Sequence, residues 1–245
     1  HELVQYIMSD INNDSILDYI LLVHTDVGYE DEIILVDGQS KNKLAKTTVM
    51  RSMETPALEV KRVTGPKDKQ IYYYGNDGYA HEYIFNYDSG TLKNIYRDIE
   101  DLKNVEHNYL FSYFIDYPNL NKVLGMKPTE SILDYILMNS TFRNLEEKEQ
   151  AFGYKPYIEN MSTPGEIQVS YHLKVYPIEE SAKAILYHTY QWVDGKWEVK
   201  DAKIEQLGTD YIVTESKYTN SNEYSSWCKD GVLNITKGNI EKLFK

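Results

Sequence analysis

Apolar residues recur at every second position, or in short unbroken runs, along most of this chain. The segment 166–176 alternates over its full length and places five apolar side chains on one face, namely Ile167, Val169, Tyr171, Leu173 and Val175. Shorter apolar runs at 19–23 and 32–38 predict strands buried on both faces. This pattern predicts a protein built mainly from β-strands.

Turn residues between these runs predict antiparallel hairpins. The clearest hairpin covers 184–207, where Asp194-Gly195 is a two-residue turn signal with Trp192 and Trp197 in the flanking strands. Residues 70–96 predict two consecutive hairpins, with turns at 76–78 and 88–90. Residues 2–8, at the start of the chain, also consist largely of strand-forming residue types.

Two segments favour short helices. Residues 97–105 place Ile99, Leu102 and Val105 at a spacing of three, which is typical of one helix face. The heptapeptide SILDYIL occurs twice, at 15–21 and at 131–137, in different contexts. Pro128 and Thr129 precede the second copy as helix-start signals, so we predict a strand for the first copy and a helix for the second.

The fold class predicted from these elements is β-rich α+β, with antiparallel sheets, hairpins and one or two short helices. Residues 1–208 are predicted to form one β-rich domain, and two lobes with a boundary near 118–128 are the alternative. Residues 209–245 are more polar and predict a C-terminal extension that ends in a short helix.

Charge and composition narrow the classes of partner. The 245 residues include 26 Lys and Arg against 38 Asp and Glu, which gives a net charge of −12. Nucleic acid and anionic membranes both require a basic face, so neither is an expected partner. The single cysteine, Cys228, excludes an intramolecular disulfide and a multi-thiolate zinc site. No apolar run is long enough to predict a transmembrane segment.

An acidic loop in the first fifty residues is the strongest chemical signal in the sequence. Asp10, Asn12, Asp14 and Asp18 occupy positions one, three, five and nine of a nine-residue segment, and the carbonyl of Ile16 falls at position seven. Calcium prefers six to eight oxygen ligands, and side chains at this spacing can wrap one ion. These five residues are therefore the predicted ligands of one Ca²⁺ ion.

Two features of the loop separate it from better-known patterns. An EF-hand needs a bidentate Glu at the twelfth position, where this chain has Leu21. Ser15 stands at the sixth position, where glycine makes the sharp turn more easily. The alternative to a metal site is a solvated acidic turn, because Asp, Asn and Ser are common turn residues.

The segment 9–23, SDINNDSILDYILLV, resembles the calcium loops of FG-GAP/VCBS-type repeats, in which such a loop connects two strands. These repeats occur in integrin-like β-propellers and in many secreted or lipid-anchored bacterial proteins. The resemblance implies a structural calcium ion and a secreted or envelope-attached location, with any leader lying outside this sequence. The loop occurs once in the chain, so we do not expect a full multi-repeat propeller.

Catalytic motifs give weaker signals. His81-Glu82 begins like a zincin helix, but Phe85 stands where the second histidine is required. Cys228 lies in a polar segment, and His172 and His188 fall within predicted strands, which favours surface or half-buried positions. No catalytic residue is therefore assigned.

The function predicted from the sequence is a non-enzymatic, extracellular or envelope-attached binding or structural module that is stabilised by calcium. Its ligand would be an unidentified protein or polysaccharide. The alternative is a hydrolase acting on a cell-envelope or extracellular polymer, since paired carboxylates need only be close in space.

Overall fold

The computed structural model describes residues 1–26, 28–100, 105–109, 112–138, 151–153, 156–176, 181–217, 228–229 and 232–233. The chain divides into two compact units. Unit 1 contains residues 1–101, 160–167 and 191–198, and unit 2 contains 102–159, 168–190 and 199–245.

Unit 1 contains two four-stranded antiparallel sheets in which neighbouring strands are also consecutive in the sequence. The first sheet consists of β1 (Glu2–Ser9), β2 (Asp18–His24), β3 (Glu30–Val36) and β4 (Lys43–Met50). The second consists of β5 (Ala57–Lys61), β6 (Gln70–Asn76), β7 (Ala80–Asp88) and β8 (Thr91–Asn94), and a short helix α1 (Arg97–Glu100) follows.

The apolar core of unit 1 lies between these two sheets. Period-two alternation directs one set of side chains from each sheet into a shared cluster. From the first sheet this cluster includes Ile20, Leu22, Ile33 and Leu35, and from the second it includes Ile71, Tyr73 and Phe85. The two sheets therefore pack face to face.

The prediction that residues 19–23 and 32–38 are buried on both faces was wrong. In β2 only alternate residues are fully buried, and Tyr19, Leu21 and Val23 on the other face are half-buried. The second sheet of unit 1 covers one face of β2, and no described element buries the other face fully. An apolar run therefore predicted the strand correctly but not the number of layers around it.

Unit 2 contains most of the remaining sheet structure. Strands β9 (Val105–Tyr109), β10 (Ser112–Tyr117), β11 (Lys122–Pro128) and β17 (Tyr211–Ser216) form one antiparallel sheet in the order β17-β11-β10-β9. A 3-10 turn (Pro118–Leu120) connects β10 to β11, and helix α2 (Glu130–Met138) follows β11.

A five-stranded sheet contains the longest strands of the chain. Its strands are β12 (Ala151–Gly153), β13 (Pro156–Asn160), β14 (Glu166–Tyr176), β15 (Ala182–Val193) and β16 (Lys196–Gln206). Two short strands, β18 (Cys228–Lys229) and β19 (Val232–Leu233), pair separately.

Several predicted strands and turns are confirmed. The five alternating apolar side chains of β14 are all fully buried. Asp194 (φ 49°) and Gly195 (φ 83°) form the two-residue turn between β15 and β16. The Trp192 and Trp197 rings meet edge to face with their centroids 4.9 Å apart. The turns at 76–78 and 88–90 also connect paired strands.

The helix predicted over 97–105 is only partly correct. Residues 97–100 form α1 and Ile99 is buried, but Val105 begins β9, which pairs with β10. Pairing with the next strand along the chain supplies hydrogen bonds that the spacing of the apolar residues does not predict.

The fold is thus β-rich α+β with antiparallel sheets and short helices, and the described residues do not form a full multi-repeat propeller. Residues 118–128 form the 3-10 turn and β11 within unit 2. Of the predicted polar extension, residues 211–216 form β17, and the predicted terminal helix lies outside the described residues. No helix in the described part of the chain is long and apolar enough to span a membrane.

Candidate metal-binding loop

The acidic loop connects β1 to β2 at one end of the first sheet of unit 1. Ser9 and Asp18 are the last pair of the β1–β2 ladder, so the two ends of the loop are fixed by strand pairing. The turn between β3 and β4 lies beside the loop, because Gly38 donates its backbone N–H to Asp18 Oδ1 at 3.1 Å. The strand, loop and strand order agrees with the prediction.

Three predicted ligands lie close together within the loop. Asp10 accepts the backbone N–H groups of Asp14 (3.1 Å) and Ser15 (3.2 Å). Asn12 Oδ1 accepts the Asp14 N–H at 3.0 Å, and Asp14 Oδ1 accepts the Ile16 N–H at 2.8 Å. These hydrogen bonds between side chains and backbone amides keep the oxygen atoms of Asp10, Asn12 and Asp14 close together on one short segment.

Asp18 has a different environment from the other carboxylates. Its side chain is completely buried, and Oδ2 accepts the backbone N–H groups of Ile11 (2.9 Å) and Asn12 (3.3 Å). With the Gly38 N–H on Oδ1, three backbone donors surround this one carboxylate. A buried charge needs such partners, so Asp18 joins both ends of the loop and the β3–β4 turn.

Close backbone approach explains the glycine that follows Asp37. A Cβ atom at Gly38 would lie 1.9 Å from the Leu17 carbonyl oxygen and 3.0 Å from Ile16 Cγ2. No side chain fits there without moving the loop backbone. An Asp-Gly pair is a common turn dipeptide, and here the structure also places it against the acidic loop.

Asp37 is a polar neighbour that the sequence reasoning missed. Asn12 Nδ2 donates to Asp37 Oδ2 at 3.5 Å and to Asp14 Oδ2 at 3.0 Å. Hydrogen bonds from the Ser40 side chain and backbone amide lower the pKa of Asp37 and hold its carboxyl in the charged form. The Asp-Gly pair that follows β3 was the only sign of Asp37 in the sequence. Its position beside the acidic loop results from the pairing of β2 with β3, which the sequence did not reveal.

The backbone of the loop adopts the left-handed conformation at two non-glycine residues. Asn13 has φ 62° and Ser15 has φ 71°. Asparagine tolerates this region, but serine adopts it at a higher free-energy cost than glycine. The expected sharp turn at the sixth position is therefore present despite the missing glycine.

The donor atoms in this region suit a hard cation. Side-chain oxygens of Asp10, Asn12, Asp14 and Asp18, together with the Ile16 carbonyl, are the ligand types that calcium takes. Among the described residues, no three or more His, Cys, Asp or Glu side chains are arranged as a ready-made metal site. Convergence of the five predicted ligands on one ion therefore stays a prediction.

The histidines considered for catalysis occupy other positions. His188, expected at the surface or half-buried, is buried in unit 2, where Nε2 pairs with Tyr117 Oη at 2.5 Å and Nδ1 with Tyr190 Oη at 2.8 Å. Burial lowers the pKa of His188 to about 3, so the ring is neutral at physiological pH. The ring of His172 lies 5.0 Å from that of Tyr157, and Cys228 lies in β18.

His81 is paired with a carboxylate in unit 1. It lies in β7, where its Nε2 is 2.8 Å from Asp77 Oδ1. The hydrogen bond with His81 lowers the pKa of Asp77. His81 is thus part of a strand, in agreement with the rejection of a zincin helix.

The sequence and structure of the chain were compared with known proteins. No protein family, no curated protein and no solved structure matches the chain.

Proposed function

We propose that this chain is a non-enzymatic binding or structural module of the cell exterior or envelope, and that one calcium ion stabilises it. The acidic loop between β1 and β2 carries this proposal. The ion would be held by Asp10, Asn12, Asp14, the Ile16 carbonyl and Asp18, as in the FG-GAP/VCBS-type loops that the segment 9–23 resembles.

The crowding of acidic groups supports a cation at this place. Asp10 and Asp14 lie on one short loop, and Asn12 connects Asp14 to Asp37 through its amide nitrogen. Carboxylates held this close repel one another, and the Lys69 ammonium, a described cation at the loop, binds the Asp10 backbone carbonyl at 3.0 Å and not a carboxylate. A divalent cation bound to the loop would reverse that repulsion and add a favourable interaction.

The position of the loop explains why an ion would stabilise the whole unit. Asp18 begins β2, whose Ile20 and Leu22 are fully buried in the core of unit 1. Through Gly38 the same carboxylate also holds the β3–β4 turn. Fixing the loop would therefore reinforce both the β1–β2 and the β3–β4 connections of this four-stranded sheet, and the gain should appear in the unfolding of the unit.

The test compares thermal melts in calcium and in chelator for the wild type and for Asp14→Ala. Calcium should raise the melting temperature of the wild type, since binding at a hundredfold excess over the dissociation constant adds about 2.7 kcal/mol to stability. Asp14→Ala should lose this dependence. Its melting temperature in chelator should stay close to that of the wild type, because the change also relieves repulsion.

Asp88→Ala is the matched control, because Asp88 is an exposed aspartate in the tight turn between β7 and β8. It should keep the full response to calcium. Identical wild-type melting curves with and without calcium, together with no heat of binding in calorimetry, would overturn the metal assignment and leave a solvated acidic turn.

The proposed location and ligand have their own measurements. Fractionation of cells that produce the natural protein should recover it outside the cytoplasm or attached to the envelope. A protein or polysaccharide ligand would be sought among components of that compartment. Recovery in the cytoplasm alone would overturn the proposed location without affecting the calcium measurement.

A further inference from the structure

His188 lies in the core of unit 2, in contact with tyrosines from three strands. It is 2% exposed. The centre of its ring lies 5.4 Å from that of Tyr117 on β10, 5.1 Å from that of Tyr171 on β14 and 5.3 Å from that of Tyr190 on β15. We call these four side chains the His188 cluster. Because β10 belongs to one sheet of unit 2 and β14 and β15 to the other, the cluster joins the two sheets.

Three hydrogen bonds connect the His188 cluster into one chain. Tyr117 Oη lies 2.5 Å from His188 Nε2, and Tyr190 Oη lies 2.8 Å from His188 Nδ1. The hydroxyls of Tyr171 and Tyr190 are 2.7 Å apart. Both imidazole nitrogens therefore have a phenol as partner, and a phenol can either donate or accept.

The position of the imidazole proton follows from counting donors and acceptors. The Tyr117 hydroxyl has His188 as its one hydrogen-bond partner among the described residues, so it uses its proton by donating to Nε2. Nε2 then carries no proton, and Nδ1–H donates to Tyr190 Oη. The cluster is therefore complete when the ring is neutral and its proton is on Nδ1.

An imidazolium does not fit the same cluster. With a proton on Nε2, Tyr117 has to accept, and its own O–H loses its acceptor in the interior. Burial alone lowers the pKa of His188 to about 3, so no charged side chain in the described part of the chain neutralises the ring. Burial also raises the pKa of Tyr117, so a tyrosinate does not form to balance the charge.

We infer that the His188 cluster is an acid-sensitive contact of unit 2, which joins the two sheets while the ring is neutral and opens when the ring takes up one proton. In the open state the ring is in water and binds the proton near the ordinary histidine pKa of about 6.5. The stability that the cluster contributes is therefore fully present above about pH 6.5 and is lost progressively as the pH falls below it. This inference does not depend on the proposed calcium ion, whose ligands lie in unit 1.

Hydrogen exchange of peptides covering 112–117 and 184–190 measures the opening of this contact, once the rates are corrected for intrinsic exchange at each pH. Since only the open state binds the proton in this range, the opening constant of the wild type should rise about 20-fold from about pH 7 to about pH 5. A rise of less than about threefold would overturn the inference.

Two glutamine variants assign the effect to one histidine. His188→Gln introduces a neutral amide that can still accept from Tyr117 and donate to Tyr190, and its opening constant should rise less than about threefold over the same pH range. His172→Gln is the matched control, because His172 is half-buried on β14 of the same sheet and should keep the wild-type rise. A rise in His188→Gln equal to that of the wild type would contradict the inference.

The state of the ring is measured in the wild type, so this arm does not require a variant that folds. Nitrogen-15 chemical shifts of the assigned His188 ring in the native protein should show a neutral imidazole with its proton on Nδ1 from about pH 7 to about pH 5. A native His188 signal that titrates in this range would overturn the inference. A proton on Nε2 would do the same, because the Tyr117 hydroxyl would then accept from the neutral ring as well.

Discussion

One heptapeptide, SILDYIL, has two unrelated structures in this protein. At 15–21 it begins in the left-handed turn of the acidic loop and continues into β2, whereas at 131–137 it lies within α2. The same side chains therefore have different neighbours. Asp18 is buried with three backbone donors, and its counterpart Asp134 is exposed on a helix.

The first leucine of each copy shows the reverse difference in burial. Leu17 is 52% exposed in the loop, while its counterpart Leu133 is 3% exposed on the buried face of α2. Local propensity is the same in both copies, so it does not determine the outcome. The flanking residues and the partners in space do, because a strand requires a neighbouring strand and α2 begins after Pro128 with the Leu133 N–H bonded to the Thr129 carbonyl.

The largest expected contrast is between Asp18→Ala and Asp134→Ala. The first change leaves three backbone N–H groups without an acceptor in the interior, and we expect a loss of about 3 kcal/mol. The second removes an exposed helical carboxylate and should change stability by less than about 0.5 kcal/mol. Hydrogen exchange of peptides covering 19–24 and 130–138, in chelator, measures the local stability of each copy separately. A loss of protection of equal size in the two variants would contradict the expected difference.

A smaller contrast is expected for Leu133→Ala and Leu17→Ala, and here the second copy of the heptapeptide should be the more sensitive one. Removing the buried Leu133 side chain should destabilise α2 by about 2–3 kcal/mol, through lost apolar burial and the cavity left behind. Leu17→Ala should stay within about 0.5 kcal/mol, because its side chain is already largely in water. The same two peptides measure both effects, and protection lost at 19–24 in Leu17→Ala would contradict the assignment.

The smallest contrast concerns the serines that open each copy. Ser15→Gly should stabilise the acidic loop by about 0.5 kcal/mol, since glycine adopts its positive φ more easily. Ser131→Gly should destabilise α2 by about 0.5 kcal/mol, because glycine is a poor helix former. Opposite shifts in local exchange would sharpen the comparison, and shifts of the same sign would show that backbone conformation does not set the difference.

Features with a strong local period were predictable in this chain. The alternation in 166–176, the Asp194-Gly195 turn and the helix at 131–137 appear in the structure as the sequence indicated, whereas only residues 18–21 of the first heptapeptide form a strand and residues 15–17 belong to the acidic loop. Glycine at a positive φ and alternation across a pleated sheet are local effects, which is why a single sequence reveals them.

Other features depended on residues distant in sequence. The helix predicted over 97–105 ends early because Val105 pairs with another strand. His188 is buried against Tyr117 on β10, 71 residues away in the sequence, as well as against Tyr190 on its own strand. In the acidic loop the spacing of Asp10, Asn12 and Asp14 was visible, but the proximity of Asp37 and Gly38 required the β2–β3 pairing.

The sequence by itself determined the period-two strands, the turns that join them and the oxygen-rich loop, because each depends on residues within about ten positions of one another. Only the tertiary structure decided which faces are covered, which carboxylate is buried and which apolar face stays accessible. The physical reason is that burial is a property of the partners in space. A strand with apolar residues on both faces has the same sequence pattern whether one layer or two layers pack against it.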